Sequence, residues 1–177
     1  MNKLLIGSLV IIVVFVGGFF ALNSYVYEEK QGPKADDYKD AEFVIEGERV
    51  KLGGDARYFG NELFVDLNDD GREDVVFLVT HEPGGSGTFF YVVATLNTEG
   101  GYIGSDGYLL GDRIAPQNIN VSPNPRHVNV IVANYADRKE GEPMTAQPLV
   151  GKSAYLKLDP EYMQWGIVVP DFEGESR

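Results

Sequence analysis

The chain has no cysteine among its 177 residues. That excludes disulfides, zinc–thiolate sites, iron–sulfur clusters and a cysteine nucleophile, so an exported domain of this sequence is held by its core or by a metal. Histidine is nearly as scarce. His81 and His127 are the only two, far apart in the chain, and they cannot build a multi-histidine metal centre. Positive charge is also short: 15 Lys+Arg stand against 27 Asp+Glu, a formal charge of −12. Neutralising phosphates needs a basic face, so no nucleic-acid partner is expected. After the N-terminal segment, no stretch of ten residues combines a helical apolar period with caps, and no repeat recurs at a fixed period.

What is present begins with Leu4 to Leu22, LLIGSLVIIVVFVGGFFAL, 19 residues without a charge. As a helix it would be about 28 Å long, close to the hydrocarbon thickness of a bilayer. Lys3 precedes the run and Glu28 and Glu29 follow it. The basic end stays in the cytoplasm, so the remainder is expected outside, on a single-pass signal anchor over residues 1–23. A cleaved signal peptide is the competing reading, but Phe20-Ala21-Leu22-Asn23-Ser24 is a poor small-x-small cleavage site. The first 27 residues hold one Lys and no acid, leaving 14 − 27 = −13 for the exported part, a charge that attracts divalent cations. Residues 24–40 read as a charged tether, 41–172 as an extracytoplasmic domain and 173–177 as a disordered tail.

Within the domain the periodicity is that of strands. Phe43–Ile45 and Arg49–Leu52 flank a Gly-containing turn, Tyr58–Leu67 makes a third strand, and Asp74–Thr80 (DVVFLVT) is a continuous apolar run suited to a central strand. Thr88–Leu96 follows. Tyr102–Leu110 is weaker. Asn118–Val121 and Val128–Ala133 are joined by Ser122-Pro123-Asn124-Pro125, and Tyr155–Leu158 and Trp165–Val169 close the set around Asp159-Pro160-Glu161-Tyr162. Gly141 and Pro143 argue against a helix over 138–147. Seven to ten short strands with turns every 8–12 residues or so predict a mainly β fold, an antiparallel sandwich or barrel-like sheet.

One motif carries chemistry. Asp66-Leu67-Asn68-Asp69-Asp70-Gly71-Arg72-Glu73-Asp74 follows D-x-[DN]-x-D-G-x-x-D. Calcium takes six to eight oxygens at about 2.3–2.6 Å, and positions 1, 3 and 5 of such a loop point inward. Those are Asp66, Asn68 and Asp70; Gly71 permits the sharp turn, the Arg72 carbonyl faces the ion, and Asp74 completes the cage directly or through water. Without a cation the nine residues carry a charge of 1 − 5 = −4. Hard oxygen donors of this kind select calcium over zinc or copper, and a structural ion over a catalytic one is expected. An EF-hand would need Glu at position 12, where Phe77 stands, so the loop is expected to close a hairpin between Leu63–Leu67 and Val75–Val79.

From Phe59-Gly60 through Asp74-Val75-Val76 this context resembles the integrin-α-type calcium loop, the FG-GAP repeat. The resemblance covers about 20 residues, a single copy, and implies the local loop and its calcium role, not the propeller. Three longer segments, Gly85–Val93 (GSGTFFYVV), Leu110–Gln117 (LGDRIAPQ) and Asn134–Met144 (NYADRKEGEPM), are similar to a family of small membrane-anchored envelope proteins from candidate-phylum bacteria. That likeness implies an envelope location and no activity.

Weaker constellations remain. Gly84-Gly85-Ser86-Gly87-Thr88 lacks a phosphate-loop Lys and a following helix, and reads as a hairpin turn. His81, Glu82 and Ser86 invite a triad, yet sequence neighbours rarely supply its geometry. The mixed-charge loops at Asp112-Arg113 and Asp137-Arg138 are expected to form surface ion pairs; their alternative is a ligand groove recognised by Arg113, Tyr135, Arg138 and Gln147, walled by 144–148. No catalytic residue stands out. The chain is therefore expected to be a membrane-anchored, calcium-stabilised binding or structural module facing envelope polymer or an envelope protein. The alternative is an envelope polysaccharide or peptidoglycan hydrolase with a carboxylate pair drawn from residues such as Glu82, Asp112 and Asp137.

Overall fold

Residues 32–170 are described by a computed structural model of the chain. The apolar run 4–22 and the tail 173–177 lie outside the described residues, and among those described no helix is long and apolar enough to cross a membrane. The fold is mainly β, with antiparallel sheets. Its strands are β1 (Phe43–Ile45), β2 (Glu48–Val50), β3 (Ala56–Val65), β4 (Asp74–His81), β5 (Phe89–Thr98), β6 (Gly101–Gly104), β7 (Tyr108–Asp112), β8 (Ala115–Val121), β9 (Val130–Asp137), β10 (Val150–Asp159) and β11 (Gln164–Ile167). One sheet runs β3-β4-β5-β6 with β7 also on β5; a second runs β11-β10-β9-β8; β1 and β2 form a separate hairpin.

The apolar run of β4 is explained by what lies on each side of it. Side chains alternate across a strand. Val76 and Leu78, with Val92, Ala94 and Leu96 of β5, face a core shared with Ile119, Ile131, Ala133, Leu156 and Leu158 of the second sheet. Val75, Phe77 and Val79, with Tyr91 and Val93, face a second core closed by Ala41, Phe43 and Ile45. A strand buried on both faces has no polar face to show, hence the unbroken run. Phe77 sits at the centre of the second core, edge-on to Phe43 at 5.7 Å and to Tyr38 at 5.8 Å.

The hairpin that closes this core turns through Glu46 (φ 55°) and Gly47 (φ 85°), the two positive angles a two-residue loop needs. It is tied to the first sheet where the expected single strand Tyr102–Leu110 divides into β6 and β7. Val44 N–H donates to the Ser105 carbonyl and Gly107 N–H to the Val44 carbonyl. The chain comes so close here that a Cβ on Gly104 would lie 2.2 Å from the Glu42 carbonyl oxygen. Buried Ser105 mends the broken ladder, its Oγ accepting from Ala94 N–H at 2.8 Å.

The domain begins earlier than Ala41. A tether was expected over 24–40, but Ala35 bridges to Tyr102, Tyr38 packs against the second core, and the compact unit starts at Pro33. Tyr38 is the anchor: its ring meets those of Phe64, Phe77 and Tyr102 edge-on. No helix forms over 138–147, which is an irregular loop between β9 and β10 with Gly141 at φ 82°.

Candidate functional site

The acidic motif forms the connection from β3 to β4. Its backbone bends through Asp69 (φ 61°) and Gly71 (φ 83°). The Asp66 carboxylate lies inside the bend, Oδ2 accepting from Gly71 N–H at 2.8 Å and Oδ1 from the amides of Asn68 and Asp70 at 3.3 and 3.2 Å. These bonds, the Gly71 amide foremost, hold its carboxyl below the ordinary range. Asn68 Oδ1 accepts from Asp70 N–H and its Nδ2 donates to Asp70 Oδ2. Arg72 donates to Asp70 through its amide and Nη1. At the tip, Asp69 Oδ2 accepts from Asn129 Nδ2 at 2.8 Å, linking this loop to the β8–β9 connection.

Asp74 behaves differently from the other acids. It is fully buried, its Oδ2 accepting from Leu67 N–H and its Oδ1 from Asn97 N–H, each at 2.8 Å. It therefore pins the start of the loop to the far end of β5. Burial pushes its carboxyl up to about 6 despite those two amides, and the nearby Asp70 and Asp66 charges add to the rise.

Comparison with known protein families, with curated proteins and with solved structures found no match. The loop's fit to calcium rests on its own donors. A carboxylate or amide oxygen that accepts one N–H keeps a second lone pair. Asp66, Asn68 and Asp70 each retain such an oxygen at one bend, and Asp74, whose two oxygens each accept a single amide, does so on its buried side. Among the described residues no three His, Asp or Glu side chains are placed to hold a metal. The side-chain oxygens of Asp66, Asn68 and Asp70 are hard donors of the kind calcium takes.

The second set of residues is occupied with other work. The Arg138 guanidinium, 8% exposed, donates from Nε to the Ala146 carbonyl, from Nη1 to that of Asp112 and from Nη2 to that of Arg113, at 2.8–3.1 Å. It fastens the β7–β8 turn to the β9–β10 loop. Arg113 (φ 49°) makes a two-pronged pair with Asp112, whose Oδ1 also accepts from Thr88 N–H. Tyr135 packs against the first core, and burial raises its phenol. Gln147 is exposed in the loop. A shallow cavity does lie here, lined among others by Asp112, Asp137, Arg138, Glu142 and Lys152, without Tyr135 or Gln147. His81 meets the Tyr91 ring edge-on, while Glu82 takes the Thr88 hydroxyl at 3.2 Å.

Two clusters went unread in the sequence. Ser122 Oγ, His127 Nδ1 and Asn124 join within the β8–β9 connection, with Ser122 and His127 2.7 Å apart. Across the outer face of the second sheet run Asn118, Asn120, Asn134 and Ser153 in a hydrogen-bonded row. Alternation of Asn118-Ile119-Asn120 was the available signal for the second.

Proposed function

We propose that the chain is a single-pass, membrane-anchored protein whose β domain, an antiparallel sandwich of the two larger sheets, stands outside the cytoplasm as a calcium-stabilised binding or structural module of the cell envelope. The observation that carries the reading is the 19-residue uncharged run, with Lys3 before it and a charge of −13 after residue 27. Asp66, Asn68 and Asp70 would hold calcium, which would supply charge neutralisation at the bend and no reaction chemistry. Extracellular modules bind calcium with dissociation constants of about 10⁻⁴–10⁻³ M, which ambient calcium outside a cell suffices to fill.

The hydrolase alternative draws on Asp112 and Asp137, which line one cavity. A glycosidase pair needs one carboxyl with a raised pKa to donate its proton. Both of these are held below the ordinary range, Asp112 by its bond from Arg113 and Asp137 by its bond from Lys152. A pair ionised at neutral pH lacks the proton donor, which favours the binding module.

The test has two parts. Protease added outside intact cells should digest the β domain and leave the anchor. The purified full chain should be retained by an isolated envelope fraction, more weakly with chelator. Protection of the domain in intact cells, or no retention by any envelope fraction, would overturn the reading.

A further inference from the structure

The second sheet has an inner and an outer face. Ile119, Ala133 and Ala154 point into the first core, so Asn118, Asn120, Asn134 and Ser153 stand on the outer face by alternation. Register places Asn118 opposite Asn134 and Asn134 opposite Ser153, so the row crosses three strands at right angles to the chain. Asn118 Oδ1 accepts from Asn134 Nδ2 at 2.7 Å and from Asn120 Nδ2 at 2.9 Å, and Ser153 Oγ donates to Asn134 Oδ1 at 2.6 Å.

Three features of this row point to a ligand class. First, the groups are neutral. In a chain of charge −12 they form a strip without formal charge, suited to an uncharged partner, while an anionic polymer would be repelled by the domain as a whole. Second, the groups are pre-ordered. Each amide is tied to its neighbour, so little side-chain entropy is lost when they bind. Their repeat across strands is about 4.8 Å, close to the length of one sugar unit. Third, the sheet surface beside the row is open at Gly151. Gly151 lies opposite Ala136, itself opposite Ala115, and a Cβ on Gly151 would meet nothing within 4 Å. A glycine inside a strand marks a place where a ligand can approach the backbone.

We infer that the outer face of the β8–β9–β10 sheet binds a neutral polysaccharide laid across the strands, through Asn118, Asn120, Asn134 and Ser153 beside the open floor at Gly151. This rests on the binding-module reading and names its ligand and its surface.

The test uses the full chain in a detergent without a sugar headgroup, sedimented with insoluble cellulose and with chitin, and with isolated envelope. Soluble oligosaccharides of each glycan serve as competitors. The expected result is retention on a neutral glycan, release by its oligosaccharide, and weakening by about tenfold or more in Asn134→Ala. Gly151→Tyr, which fills open space on an ordinary backbone, should weaken retention as much with an unchanged melting temperature. If envelope retains the chain but neutral oligosaccharides do not compete and Gly151→Tyr binds normally, this inference is overturned and the binding module stands. Retention that disappears when the envelope is stripped of protein, and not when it is stripped of glycan, overturns it likewise. If nothing retains the chain, both fall.

Discussion

Asp74 links the fold to pH with a sign that can be worked out. Its carboxyl lies at about 6 in the folded domain against 3.8 when free. Between these values the folded state binds more protons than the unfolded one, so stability rises as pH falls. From pH 7 to pH 5 the gain from this one group is RT ln of about (1 + 10)/(1 + 0.06) less RT ln of about 1.1, roughly 1.3 kcal/mol. Glu62, Asp66, Asp112 and Asp137 act oppositely, but their carboxyls are depressed, so their contribution is lost only as pH falls below the ordinary carboxylate range. The assay is urea unfolding of residues 33–177 at pH 7, 6 and 5 with chelator present. Asp74→Asn serves as the subtraction, because every other titrating group is common to both proteins. The variant should lose about 1–3 kcal/mol at pH 5, where one buried amide of Leu67 or Asn97 is left without an acceptor. The wild type should gain on the variant as the solution is acidified. Parallel pH curves for the two proteins, or a wild type that falls relative to Asp74→Asn, would refute the reasoning.

Other substitutions test the layers separately. Phe77→Ala empties the centre of the second core and should cost about 3–5 kcal/mol in the same unfolding assay, with the urea midpoint lowered and the slope unchanged. Arg138→Ala should cost about 1–3 kcal/mol, because three backbone carbonyls lose their donor, whereas Arg113→Ala, which breaks a more exposed pair with Asp112, should cost under about 1 kcal/mol.

Much of the fold was legible where one rule governs. The continuous run at Asp74–Thr80 identified a central strand because burial on both faces leaves no alternation to misread. The turns at Ser122–Pro125 and Asp159–Tyr162 were legible from turn chemistry alone. What escaped depends on distant parts of the chain. The division of 101–112 into two strands follows from the crossing of Glu42 and Val44, some sixty residues away, which no local window contains. The docking of Ala35 and Tyr38 was hidden by the charges around them. At the acidic loop, spacing revealed the bend around Asp66 but not that Asp74 turns its oxygens to Leu67 and Asn97. That choice is set by the neighbouring β5 edge. The sequence offers Arg138 as half of an ion pair with Asp137 or as a ligand group; the pair is present at 3.8 Å, and three carbonyls from two connections, invisible to any local window, take its remaining donors.

The most direct measurement is thermal unfolding of the full chain with millimolar calcium and with chelator. A site filled to about tenfold over its dissociation constant stabilises the folded state by roughly 1.4 kcal/mol, a rise of a few degrees. The rise should appear in the wild type and vanish in Asp66→Ala and Asp70→Ala. A wild type that melts at the same temperature with and without calcium, or variants that keep the shift, would contradict the account.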